Sequence, residues 1–232
     1  MIEIRESKPH LHSNGVALES VLDQLVSIGN LAAVAEALDI SPADLVITLG
    51  FQALGDADSE GPPLVTGAAK HAALKPFLIE SAWAKILPNV PRPHRLALSA
   101  GLLQVFDHWE SSHEAAQQAD DLGERPFSAY WHAIAHRREP DAGNASYWFR
   151  RVGRHPVQRE LAEEAAALIE GSSQPVSARK LIAGNDWNSS AMIEFCGDGR
   201  PRPEVAKLAR RIQRLEMKLL LEATAQAYCQ AD

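Results

Sequence analysis

His132 and His136 stand four residues apart in Tyr130-Trp131-His132-Ala133-Ile134-Ala135-His136, a stretch without a helix breaker. At about 100° per residue this spacing puts both imidazoles on one helical face, where they can share a metal ion. His113, in Glu110-Ser111-Ser112-His113, is a candidate third ligand, and Glu110 shares its face one turn earlier. His108 is the other candidate. In a regular helix its five-residue spacing from His113 turns the two about 140° apart, so one ion would use one of them. The expected site is a single divalent metal (zinc, iron or manganese) on His132, His136 and either His113 or His108. An open position would hold a water made acidic by the ion. Glu110 or Glu139 would then shuttle the proton. The plain alternative is two polar residues on a solvated face.

Arginines surround this segment. Lysine is missing from Ile86 through Arg179 while arginine recurs, in Arg137-Arg138-Glu139-Pro140-Asp141 and again at Arg150 and Arg151. A guanidinium offers carboxylates and phosphates a planar fork that lysine lacks. Arg137, Arg138, Tyr147, Arg150 and Arg151 are therefore the expected anion-binding set. An arginine-rich codon bias gives the same pattern, and pairing of these arginines with Glu139 and Asp141 is the structural alternative. Five of nine histidines lie between His108 and His155 and three of five tryptophans between Trp109 and Trp148, which concentrates any chemistry between Phe106 and Pro156.

Two resemblances attach to these residues. Tyr130 to Asp141 followed by Asn144 to Gly153 (Asn-Ala-Ser-Tyr-Trp-Phe-Arg-Arg-Val-Gly), together with Glu110, Ser112-His113 and Gln117, resembles a family of uncharacterised proteins found in bacteria and fungi. It covers about the central quarter of the chain, as judged from the sequence alone, and implies no activity and no catalytic residue. A looser likeness is to the DinB-like helical bundles, which bind a metal through one histidine on an early helix and an HxxxH pair on a later one. His113 with His132 and His136 has that order. The Arg137 to Asp141 and Tyr147 to Gly153 runs are not DinB-like.

The elements that would position these groups read as helices. Ser41-Pro42-Ala43-Asp44 is a capped helix start, and the helix should stop near Gly55. Gly55 to Gly67 has glycines, prolines and acids without periodicity and reads as a flexible loop, a connector rather than a lid. One long helix is expected from Pro93 through Ala119, with Gly101 as a tolerated weak point. Pro126 opens the next helix and Pro140 ends it. Short helices follow over Asn144 to Val152 and Pro156 to Ile169. Pro203 to Tyr228 is the longest, with Val205, Leu208, Ile212, Leu215 and Leu219 in one apolar stripe bordered by Glu216 and Glu222. No strand pair is expected. The fold class is all-α: an irregular multi-helix bundle with a long C-terminal helix, one domain over 1–232.

Bulk properties bound the rest. The chain has 232 residues and a net charge of -7, which argues against nucleic-acid and anionic-membrane partners. No apolar run is long enough for a membrane span, the N-terminus has no signal-peptide core, and Cys196 and Cys229 form no CxxC pair. A cytoplasmic protein with reduced thiols is expected. Three readings follow: a metal-dependent enzyme acting on an anionic small molecule, a non-catalytic module binding a phosphorylated or carboxylated ligand, and a helical interaction protein. In the last, the C-terminal stripe would pack against a second copy or a partner.

Overall fold

Ser41 accepts from the backbone N–H of Asp44 while the Asp44 carboxylate accepts from that of Ser41, a reciprocal cap with Pro42 in the first turn. In a computed structural model, which describes residues 2–5, 8–69, 71–173, 175–197 and 201–229, this cap starts α3 (Pro42–Leu54). Before it come α1 (Leu18–Ile28) and α2 (Leu31–Leu38). After it come the short α4 (Lys75–Leu78) and α5 (Glu80–Ile86), separated by the extended backbone of Ile79, although Pro76 to Leu87, bounded by Pro88 and Pro91, reads in sequence as one short helix.

The expected helix from Pro93 through Ala119 is two antiparallel helices, α6 (Arg92–Val105) and α7 (Trp109–Asp121). The break lies at Phe106-Asp107-His108, where Asp107 adopts a left-handed φ of 62°. Arg138 holds it there through an ion pair with Asp107 and a bond to the Gln104 carbonyl. Gly101, the suspected weak point, lies within α6, where a Cβ would stand 2.6 Å from Cε2 of Trp131. Its glycine admits the indole rather than breaking the helix.

α8 (Pro126–Arg138) packs against α6, α7 and α9 (Ala142–Val152), and every residue from Ser128 to Arg138 is buried. α10 (Pro156–Glu170) starts at a cap in which His155 Nδ1 accepts from the Val157 N–H. α11 (Pro175–Ala178) and α12 (Ser189–Cys196) follow. α13 (Pro203–Tyr228) has the expected bounds. It packs against α3, α6 and α10, and its whole stripe, Val205 to Leu219, is buried within its own chain. The dimer reading thereby loses the free face that motivated it.

Two short antiparallel strand pairs correct the all-helical expectation in detail. β1 (Ile2–Arg5) pairs with β2 (Lys8–Leu11), and β3 (Ile182–Ala183) with β4 (Asp186–Trp187) across a turn where Gly184 has φ 67°. Two-residue strands are too short to show alternation. The architecture is all-α, built around one contiguous apolar core. No helix among the described residues is long and apolar enough to cross a membrane.

The Gly55 to Gly67 connector is irregular but tied down. Arg138 donates to the Pro63 carbonyl, Gln213 to the same oxygen, and Arg210 to that of Gly61, while the Thr66 N–H donates to the Arg138 carbonyl.

Candidate metal centre

α7 is tied to α8 and to α6 by one side chain each. The Trp109 indole donates to the Ala135 carbonyl at 2.9 Å, and Ser112 Oγ donates to the Ala100 carbonyl at 2.8 Å. This pinning brings three imidazoles together. His132 and His136 lie nearly parallel, with ring centres 4.9 Å apart, and His113 stands edge-on to them at 4.4 Å and 4.9 Å. One ring nitrogen from each lies within 4.8 Å of the others. Tetrahedral coordination at about 2.0–2.1 Å implies nitrogens about 3.4 Å apart, so a small inward rotation of the rings would complete the fit.

His132 is the most telling member. It is 1% exposed, and among the described residues neither Nδ1 nor Nε2 has a hydrogen-bond partner. A buried polar group without a partner costs about 1–3 kcal/mol, so such a ring needs an explanation. Burial, followed by the neighbouring His113 and His136, pushes its pKa down to about 3. Burial also lowers His113, with His136 acting the same way against Glu139 and Glu114. At neutral pH both therefore present lone pairs, as metal ligation requires. Trp148 covers one face of His132 at 3.9 Å, and Trp109 lies against His113 at 5.3 Å.

His136 is oriented from behind. Its Nδ1 lies 2.9 Å from Oε2 of Glu139, which leaves Nε2 for the cluster. A carboxylate on the far nitrogen fixes the tautomer and increases ligand basicity. Glu139 and Asp141 also group with His136. However, the Asp141 carboxylate accepts from the N–H and the side-chain amide of Asn144 as the cap of α9.

The other expected site residues go elsewhere. His108 sits at the turn before α7, outside the three-histidine group, because the chain reverses there instead of continuing as helix. Glu110 is exposed and does not join the cluster. The arginines do not form one anion grip, since consecutive helical residues point about 100° apart. Arg137 reaches α13 and meets the fully buried Glu216 at 2.5 Å, where Tyr130 also donates at 3.2 Å. Arg138 is paired with Asp107, and Arg151 donates twice to Asp120 on α7, at 3.1 and 2.8 Å. Arg150 and Tyr147 are exposed. These arginines do pair with acids, but with distant ones rather than with Glu139 and Asp141. Glu216 was legible only as an acid bordering an apolar stripe, and the Trp109 and Trp148 walls only as local tryptophan enrichment.

No family model matches this chain, and no curated protein or solved structure does either.

Proposed function

We propose that this protein binds one divalent transition-metal ion through His113, His132 and His136 and uses it to activate water for hydrolysis. The observation that carries the reading is the convergence of three imidazoles around His132, a buried ring with both nitrogens unpartnered. Three neutral nitrogen ligands suit zinc, iron or manganese, and three protein ligands leave a position open. A bound ion supplies Lewis acidity, bringing a coordinated water toward a pKa of about 7. The chain supplies the rest. Glu139 orients His136, Trp109 and Trp148 exclude water from two sides, and the half-buried His113 marks the side from which a substrate enters.

The geometry lends less to an anionic substrate. Arg137, Arg138 and Arg151 are committed to Glu216, Asp107 and Asp120, which leaves Arg150 as the free guanidinium of the expected set among the described residues. Elemental analysis of protein purified without a histidine tag tests the proposal. Close to one equivalent of metal is expected in the wild type and almost none in His132→Ala. Metal-free wild type that also fails to take up zinc, iron or manganese in equilibrium dialysis would remove it.

A further inference from the structure

Among the described residues three arginines are buried: Arg137, Arg138 and Arg214. The first two are each bonded to a carboxylate. Arg214, on α13, is bonded only to neutral carbonyls: Nε donates to Leu54 and Nη2 to Gly55, both at 3.1 Å. These carbonyls at the end of α3 fix the guanidinium in place, and Nη1 donates to nothing among the described residues. The nearby acids, Asp56 and Glu222, form no ion pair with it among the described residues, and one oxygen of each is already bonded. Asp56 accepts from the Ser59 hydroxyl and from the N–H groups of Asp58 and Ser59, and Glu222 accepts from Lys218 at 2.9 Å. A buried cation normally has a bonded counter-ion, and this one does not.

Arg214 also lines a cleft of about 700 Å³ between α3 and α13, separate from the three histidines. That volume falls within the range of small-molecule sites, about 300–1,000 Å³, which are mainly apolar with a few fixed polar groups. Its wall fits that description, with Val46, Ile47, Phe51 and Leu54 from α3 and Leu221 from α13. The two helices meet at Gly50, where a Cβ would stand 2.7 Å from Leu221 Cδ2, so the floor is closely packed. Asp56, Asp58 and the mutually paired Lys218 and Glu222 are also on the lining, but all four reach solvent, so water screens their charge far more than that of the buried guanidinium.

We propose that this cleft binds an amphipathic carboxylate. The anionic head bonds the free amino group of Arg214, and the apolar body lies along Val46, Ile47, Phe51 and Leu221. This proposal is independent of the metal centre.

The test is calorimetric titration of the full chain with three probes of one chain length: decanoate, decan-1-ol and decyltrimethylammonium. One decanoate per chain is expected, with decanol weaker and the cation weakest. Arg214→Met should weaken decanoate about tenfold or more, the scale of a charged hydrogen bond, and leave decanol unchanged. Ile47→Trp, which fills the cleft from its half-buried wall, should weaken both. Binding of the cation as tight as that of decanoate, or an unchanged decanoate affinity in folded Arg214→Met, would overturn the carboxylate assignment. No binding of any probe by wild type, or an unaltered decanoate titration in Ile47→Trp, would overturn the site itself. Should Arg214→Met fail to fold, the three-probe comparison and Ile47→Trp still decide.

Discussion

Nδ1 of His136 and Oε2 of Glu139 lie 2.9 Å apart, one turn from one another at the end of α8, with the imidazole buried and the carboxylate half exposed. In the proposed site this makes Glu139 an orienting partner of His136 rather than a member of the three-histidine group. Removing its charge should loosen metal without emptying the site. Glu139→Gln is expected to weaken metal affinity about 10–100-fold, the usual effect of losing an outer partner, while His132→Ala abolishes binding. Competition with a chromophoric chelator measures both. Equal affinity in wild type and Glu139→Gln would show that the carboxylate plays no part in ligation.

The Arg137–Glu216 pair should behave as a unit. Both side chains are almost wholly buried, and Tyr130 donates to the same carboxylate. Burial pushes the Tyr130 hydroxyl upward, with Glu216 adding to the effect, so it stays a donor. Glu216→Leu alone strands a buried cation and a buried hydroxyl and should cost about 3–5 kcal/mol. Replacing all three, with Arg137→Met, Tyr130→Phe and Glu216→Leu, should recover most of that loss, because no unpaired polar group is left. Urea denaturation monitored by circular dichroism makes the comparison. A triple variant less stable than Glu216→Leu would refute this account of the network.

The sequence carried the helices and the histidine cluster further than it carried the arginines. Local rules suffice for α13 and α8, since Pro203 opens the first and its apolar period carries it, while Pro126 and Pro140 bracket the second. They also suffice for the His132–His136 pair, which needs only helical spacing. The turn at Asp107 was not legible, because a long-range partner, Arg138, holds a left-handed residue in a stretch with helical periodicity. The arginine cluster misled for a related reason. Adjacency in sequence suggested one site, whereas 100° steps sent Arg137 to Glu216 and Arg138 to Asp107. Each of those acids lies in another element, and pairwise recognition across elements leaves no local pattern.

Gly101 allows α6 to approach the face of α8 that carries Trp131. An added Cβ would meet three indole atoms at 2.6 to 2.8 Å, and the indole is fully buried. Alanine in a helix interior normally gains about 1 kcal/mol over glycine. Here the overpacking cost of about 1–3 kcal/mol should exceed that gain. Gly101→Ala is thus expected to lower stability and, because Trp131 lies one residue before His132, to reduce metal affinity as well. Thermal unfolding and chelator competition test the two effects. A stabilised variant would mean that α6 and α8 have room to separate.

Acid should destabilise the metal-free protein through His132. Its pKa is pushed down to about 3 by burial and then by His113 and His136, whereas an unfolded chain restores a value near 6.5. Between those values the unfolded state holds more protons than the folded one, so stability is full above about pH 6.5 and falls as the pH drops toward 3. His113, His108 and His155, each lowered chiefly by burial, contribute with the same sign. In chelator-treated samples the urea midpoint should therefore decline between pH 7 and pH 4.5. His132→Phe retains an aromatic ring against Trp148 and takes up no proton, so its decline should be shallower. Zinc should raise the wild-type midpoint at pH 7 by mass action and leave that of His132→Phe nearly unmoved. Identical pH slopes for wild type and His132→Phe would show that His132 does not titrate differently on folding.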